Sequence, residues 1–253
     1  MKRRVKILSV SFENSSRREI LKELKVRMTQ KKKTRIFTPN PQILLAAHRD
    51  PSLRALLSKA DLLLPDGIGL IYASKILGTP LKERISGIDI AEDILMLAEE
   101  KNLSVFLLGG KKGCANRAAR NLKITFPRLN ICGCHNGYFA KYGEENLLVR
   151  AKIAKKRPDI LFVCFGFPLQ ERWIAENLHY LPTVKIAAGL GGSLDVWSGK
   201  VPRAPKAFQK IGMEWLWRLM IEPRRIRVFA DIPQFMLLVT KQKMALRKKA
   251  NRT

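Results

Sequence analysis

Short apolar, β-branched runs alternate with segments of helical periodicity along most of the chain. Val5 to Val10, Thr34 to Thr38, Asp61 to Leu64, Ser104 to Leu108, Leu129 to Cys132, Ile160 to Cys164 and Val184 to Ala187 have the length and composition of strands. Between them, Ser16 to Met28, Pro41 to His48, Ile68 to Leu77, Ile88 to Glu99, Ala115 to Ile124, Glu144 to Lys155 and Leu169 to Asn177 predict helices. Parallel strands need helical crossovers on the faces of their sheet, so the alternation predicts an α/β sandwich with a mainly parallel, Rossmann-like sheet. Such sheets bind ligands beyond the carboxyl ends of their strands.

Past Val201 the pattern changes to helix without strand. Pro202, Pro205, Pro223 and Pro233 punctuate it, predicting helices at about Lys206 to Ile221, Arg224 to Ala230 and Gln234 to Lys248. The chain thus divides into an α/β core, residues 1–200, and a helical appendage, residues 201–253. The lack of a Gly/Ser linker predicts an appendage docked on the core. In its first helix Lys210, Glu214 and Arg218 recur at four-residue spacing, while Phe208, Ile211, Met213, Trp215, Leu216, Trp217 and Leu219 fill most other positions. The polar stripe is narrow, so such a helix is either buried on both sides or has a second apolar surface to meet, a partner subunit or lipid.

Charge sharpens this picture. The 253 residues include 48 Lys and Arg against 21 Asp and Glu, a net +27, which calls for an anionic partner: nucleic acid, anionic lipid or a phosphorylated substrate. Residues 200–253 hold 14 of the cations and 3 of the acids, and these cations surround the apolar run Phe235 to Val239, a composition suited to an anionic membrane surface. No apolar run approaches the ~20 residues that cross a bilayer. The start Met1-Lys2-Arg3-Arg4 leads into a strand-like run rather than a signal-peptide core, so the expected location is the cytoplasm. Cys114, Cys132, Cys134 and Cys164 form no C-x-x-C pair, and Cys132-Gly-Cys134-His135 reads as a strand running into a turn rather than a metal site.

Five predicted strands end in glycine or a polar cluster: Thr38-Pro39-Asn40-Pro41, Pro65-Asp66-Gly67, Gly109-Gly110-Lys111-Lys112-Gly113, Gly166 to Glu171, and Gly189 to Asp195. Glycines there let backbone N–H groups approach a ligand, and the helix starts that follow favour an anion, which together suggest a nucleotide or sugar-phosphate cleft. Asp66 follows Leu62-Leu63-Leu64 and could serve as a general base, although the local sequence alone favours a turn or N-cap role before Gly67. Asn40 before Pro41 could merely cap a helix. Arg84 in Lys82 to Gly87 could neutralise a leaving diphosphate or lie on a solvated surface. There is no D-x-D pair to hold a divalent ion, so leaving-group charge falls to Arg, Gln and backbone N–H groups.

Taken in order, these segments resemble the WecG/TagA/CpsF family of bacterial glycosyltransferases. The resemblance is carried by Thr38 to Pro41, Ala60 to Gly69, Arg84 to Gly87, Phe106 to Gly110, Pro158 to Val163, Gly166 to Glu171 and Gly191 to Pro205. Gly212 to Leu219 and Glu222 to Arg225 in the tail also fit. It implies an inverting, metal-independent transfer of N-acetylmannosamine, or its uronic acid, from a UDP donor to undecaprenyl-diphosphate-linked N-acetylglucosamine, with no cofactor, at the inner face of the plasma membrane. On that pattern Asp66 is the base, Thr38 and Asn40 meet the donor sugar, and Arg84 and Gln170 meet the diphosphate. Asp195 meets the nucleoside, Gly109 and Gly110 bind the substrate, and Arg218, Arg224 and Arg225 face the lipid diphosphate. Phe167 and Leu169 stand where small or charged residues are common in the family, which bears on donor choice. A homo-oligomer is left open.

Two other classes compete. A nucleotide-cofactor oxidoreductase lacks its G-x-G-x-x-G fingerprint and the acidic residue in relation to it. A nucleic-acid-binding protein draws support from charge alone and has no recognition module.

Overall fold

The computed structural model describes residues 4–30, 32–210, 212–221 and 227–250. Six strands, β3 (Thr34–Phe37), β4 (Leu62–Leu63), β5 (Ser104–Gly109), β6 (Asn130–His135), β7 (Ile160–Cys164) and β8 (Ile186–Gly189), form one sheet in the order β4-β3-β8-β7-β5-β6. Every neighbouring pair is parallel. The crossovers are helical: α2 (Pro41–Arg49) and α3 (Pro51–Ser58) between β3 and β4, α4 (Ile68–Leu77) and α5 (Gly87–Glu100) before β5, then α6 (Cys114–Thr125), α7 (Gly143–Lys156) and α8 (Leu169–Asn177) before β6, β7 and β8.

The strands segregate their side chains with period two. Phe37, Phe106, Leu108, Leu161, Val163 and Ala187 enter one core. Ile36, Val105, Leu107, Ile160, Phe162, Ile186 and Ala188 enter the core on the opposite face. Both faces are covered, which is why β7 is apolar throughout and buried at all five positions. The second core is closed by α1 (Arg17–Thr29), through Ile20 and Leu24, and by α5 and α6.

The first predicted strand is not part of this sheet. The chain reverses at Leu8 and Ser9, both at positive φ, so Val5 to Val10 splits into an antiparallel hairpin of β1 (Arg4–Ile7) and β2 (Val10–Glu13). The turn lacks the glycine or asparagine that usually marks such a reversal. Val5, Ile7, Val10 and Phe12 still bury their side chains in the first core.

The tail departs from expectation at two places. A single helix from Lys206 to Ile221 is replaced by α10 (Lys206–Lys210) and α11 (Glu214–Ile221), after the short α9 (Ser193–Trp197). The break falls at Gly212, whose φ of +73° no helix accommodates and where a Cβ would stand 3.2 Å from the Ile68 Cβ. Conversely, Pro233 does not end a helix: α12 (Arg227–Ala250) runs through it, closed against α2 and α4. Phe235 and Val239 of α12 are buried in the first core. Gln242 accepts from the Leu8 N–H at 2.9 Å, and Lys243 donates to the Leu77 carbonyl at 3.1 Å. The tail therefore docks on the core, and among the described residues no helix is long and apolar enough to cross a membrane.

Candidate functional site

The predicted site residues gather at the carboxyl edge of the sheet because strand ends and helix starts alternate there. At the end of β3 the chain passes through Thr38 and Pro39 to Asn40, whose Oδ1 accepts from the Ile43 N–H at 3.0 Å and caps α2. The capping role is real, and it leaves the Asn40 Nδ2 group as what that side chain can offer a ligand. At the end of β4 the Asp66 N–H donates to the Pro39 carbonyl at 3.2 Å, lashing the two loops together. Asp66 is not the cap of α4; Gly67 is, at φ +101°, with Pro41 Cδ 3.3 Å from where a Cβ would stand. Only glycine combines that backbone with that approach.

A third loop closes on these two. Ser86 caps α5, and the Gly87 N–H donates to Asp66 Oδ2 at 3.3 Å. A Cβ on Gly87 would lie 2.9 Å from Thr38 Oγ1, so the absence of a side chain there lets Thr38 and Asp66 share one spot. The Ile85 N–H bonds the Pro65 carbonyl at 2.9 Å, which places Arg84 next to this junction of loops. Arg84 is not on a solvated surface: its Nη1 meets Glu214 Oε2 at 3.4 Å and its Nη2 meets the Gln209 carbonyl at 3.3 Å.

Across the sheet, beyond β8 and β7, β5 delivers Gly109 and Gly110. Gly109, at φ +140°, has no room for a side chain, since a Cβ would stand 2.4 Å from the Cys164 carbonyl oxygen. The Gly110 carbonyl accepts from the Gly137 N–H at 2.8 Å. Cys114 links this turn to α9: its Sγ lies 3.4 Å from the Leu194 carbonyl and 3.7 Å from Asp195 Oδ1. Asp195, paired with Lys200 at 3.4 Å, thus adjoins the Gly109-Gly110 turn. Burial pushes the Cys164 thiol up to about 12, so it is no nucleophile at neutral pH.

Gln170 stands between the two halves and is buried. Its Oε1 accepts from Gly166 N–H at 3.2 Å and Gly191 N–H at 2.8 Å, and its Nε2 donates to Glu171 Oε1 at 2.8 Å. The carboxamide therefore ties together the turns after β7 and β8. Burial pushes the Glu171 carboxyl above its ordinary range, and its Oε2 has no hydrogen-bond partner among the described residues.

The structure brings Thr38, Asn40, Asp66 and Arg84 together on one side, Gly109, Gly110 and Asp195 on the other, and Gln170 between. The Arg218 side chain, with Arg224 and Arg225, lies outside the described residues. Sequence reasoning missed Gly87, Glu171 and Glu214 as participants. Ser86-Gly87-Ile88-Asp89 does carry a cap signature, a serine with an acid three residues on, whereas nothing local marks the other two.

An α/β sheet with both faces covered, whose carboxyl edge gathers glycine turns, a carboxylate held on a helix-start N–H and a nearby arginine, is a frame for transfer chemistry on an anionic substrate. The glycosyl transferase WecG/TagA/CpsF family model matches residues 5–249, and the chain belongs to that family. It is similar to proteins named N-acetylglucosaminyldiphosphoundecaprenol N-acetyl-beta-D-mannosaminyltransferase. The one from Bacillus spizizenii is 39% identical over 218 residues, 86% of this chain and 83% of that protein. The one from Bacillus subtilis is 36% identical over 207 residues, 82% and 79% of the two chains. The one from Staphylococcus aureus strain MRSA252 is 32% identical over 247 residues, 97% and 95%.

Proposed function

We propose that this glycosyltransferase moves N-acetylmannosamine from a UDP donor onto undecaprenyl-diphosphate-linked N-acetylglucosamine, an early step in building a surface polymer such as the linkage unit of wall teichoic acid. The observation that carries the reading is the meeting of Thr38, Asp66 and Gly87 at one point of the carboxyl edge. The Asp66 carboxylate is oriented there by the Gly87 N–H and takes the proton of the acceptor hydroxyl as that oxygen attacks the anomeric carbon. Attack from the face opposite the leaving UDP inverts the centre. Thr38 and the Asn40 amide orient the donor sugar. Arg84 meets the charge developing on the diphosphate without a metal ion, while Gln170, by accepting from the Gly166 and Gly191 N–H groups, fixes the turns that flank it. The Gly109-Gly110 turn and Asp195 receive the nucleoside.

The acceptor is a lipid, so the enzyme works as a peripheral protein at the cytoplasmic face of the membrane. The basic tail supplies the attraction to anionic lipid, and Arg218, Arg224 and Arg225 face the lipid diphosphate. In this scheme residues 1–200 hold the donor and residues 201–253 serve as the membrane-facing part. The test is a panel of UDP-sugars against a short-chain lipid-diphosphate-GlcNAc acceptor, with UDP release as readout. Turnover with UDP-N-acetylmannosamine alone supports the reading, and turnover only with another donor replaces the sugar.

A further inference from the structure

The tail reaches back to the site through charge. Arg203, just after α9, donates to both carboxylate oxygens of Glu92 at 2.7 and 2.8 Å and also pairs with Asp89 on α5. From there the chain crosses α10 and Gly212, which rests on Ile68, and arrives at Glu214 beside Arg84. The Arg84 and Glu214 side chains are 16% and 18% exposed, so this pair is largely removed from water. Glu214 is only half satisfied: Oε2 meets Arg84, while Oε1 is buried with no hydrogen-bond partner among the described residues. A buried carboxylate oxygen without a donor is costly, and the pair is therefore one that a better anion can open.

An arginine fork serves one bidentate anion at a time, and the outer Nη atoms of Arg84 are both engaged within the tail. We propose that Glu214 is the resident counter-ion of Arg84: it holds the guanidinium beside the site and competes with the incoming diphosphate for it. This rests on the reading that Arg84 meets the donor's diphosphate. Donor binding then exchanges Glu214 for phosphate oxygens, and the carboxylate returns to Arg84 as UDP leaves. Glu214 acts through Arg84 and is a positioning residue; it weakens the grip on UDP and so speeds product release.

The experiment is calorimetric titration of the full chain with UDP and, separately, with uridine, which lacks the phosphates. Glu214→Gln keeps the shape and an acceptor for Arg84 but removes the charge. It should tighten UDP binding by about fivefold or more, the range in which site-to-site couplings fall, and leave uridine binding unchanged. In an Arg84→Ala background the same substitution should change nothing, and Arg84→Ala alone should weaken UDP binding. If Arg84→Ala weakens UDP binding while Glu214→Gln leaves it unchanged or weaker, the counter-ion role is wrong and the Arg84 reading stands. If Arg84→Ala leaves UDP affinity unchanged, the Arg84 reading fails and takes the counter-ion role with it. Equal tightening of UDP and uridine by Glu214→Gln would mark a general structural effect and also overturn the proposal.

Discussion

The backbone N–H of Gly87 donates to Oδ2 of Asp66 at 3.3 Å, joining residues 21 apart in sequence at the start of one helix and the end of one strand. The bond denies the Asp66 carboxylate free rotation. A base held in one orientation is what proton transfer in a single encounter requires.

Asp66→Asn should therefore leave UDP affinity nearly intact and cut turnover by ~10²–10⁴-fold, the usual range for loss of a general base. The amide keeps the shape and accepts the Gly87 N–H but cannot take a proton. Steady-state kinetics beside UDP titration separates the two quantities, and near-normal turnover would remove Asp66 from the role.

Gly87→Ala tests the packing of the same spot. The added methyl would stand 2.9 Å from Thr38 Oγ1, so Thr38 or the start of α5 must shift. Overpacking of this kind costs about 1–3 kcal/mol, and it should lower the melting temperature and the turnover together. Adding Thr38→Ala vacates the clashing oxygen and should restore the melting temperature but not the turnover. If the double variant regains neither, the clash is not the cause.

Much of this arrangement was legible in the sequence. The apolar runs of β5 and β7 announce strands buried on both faces, and Asp66 stands out because it comes just after the apolar run Leu62 to Leu64 and Pro65. The misses share a physical origin. The Leu8-Ser9 reversal uses residues that do not favour positive φ, and tertiary burial of Val5, Ile7, Val10 and Phe12 holds it. The helix α3 carries a start signal, Asp50 before Pro51, that is hidden by the closeness of α2. Gly212 breaks a helix where the periodicity runs on, because Ile68 packs against it. The Arg84–Glu214 pair spans 130 residues and has no local signature at all.

Leaving-group charge should depend on Arg84 and not on a divalent ion. Among the described residues no group of three or more His, Cys, Asp or Glu side chains could hold a metal ion, so in this scheme leaving-group charge falls to Arg84. EDTA should change the rate little, whereas Arg84→Ala should lower turnover by tenfold or more. Strict dependence on Mg²⁺ or Mn²⁺ would refute the metal-free mechanism.

Glu171 gives a pH dependence of stability. Burial raises its carboxyl pKa in the folded state above the ordinary 4.5 of the unfolded chain. A raised pKa means that the folded state binds the proton more tightly, so this group's contribution is full below about pH 4.5 and is lost as pH rises through the folded value. Glu171→Gln removes the buried charge while retaining an acceptor for Gln170 Nε2. It should stabilise the protein by of order 1 kcal/mol at neutral pH, with the advantage shrinking toward pH 4. Thermal melts of both proteins across pH 4–8 check this, and a pH-independent difference would remove burial of the charge as its cause.

The last expectation concerns the membrane face. Deleting the tail is an uninformative test, because Phe235 and Val239 of α12 fill the core and their removal would uncover α2 and α4. On the same helix Lys241, Arg247, Lys248 and Lys249 are exposed, and so are Leu237, Met244 and Leu246. Lys243 is different, since it is tied to the Leu77 carbonyl at 3.1 Å and should be left alone. Each cation near an anionic bilayer contributes on the order of 1 kcal/mol, and inserted apolar side chains add to it. Neutralising the four exposed cations to Gln should therefore weaken flotation with phosphatidylglycerol vesicles by two orders of magnitude or more at low salt. The same variant should turn over a water-soluble acceptor at the wild-type rate, because none of the four residues lies at the cleft. Turnover on acceptor embedded in vesicles should fall with the binding. Undiminished flotation would move the anchor elsewhere on the protein, and loss of turnover on the soluble acceptor would mean that the end of α12 acts on the site itself.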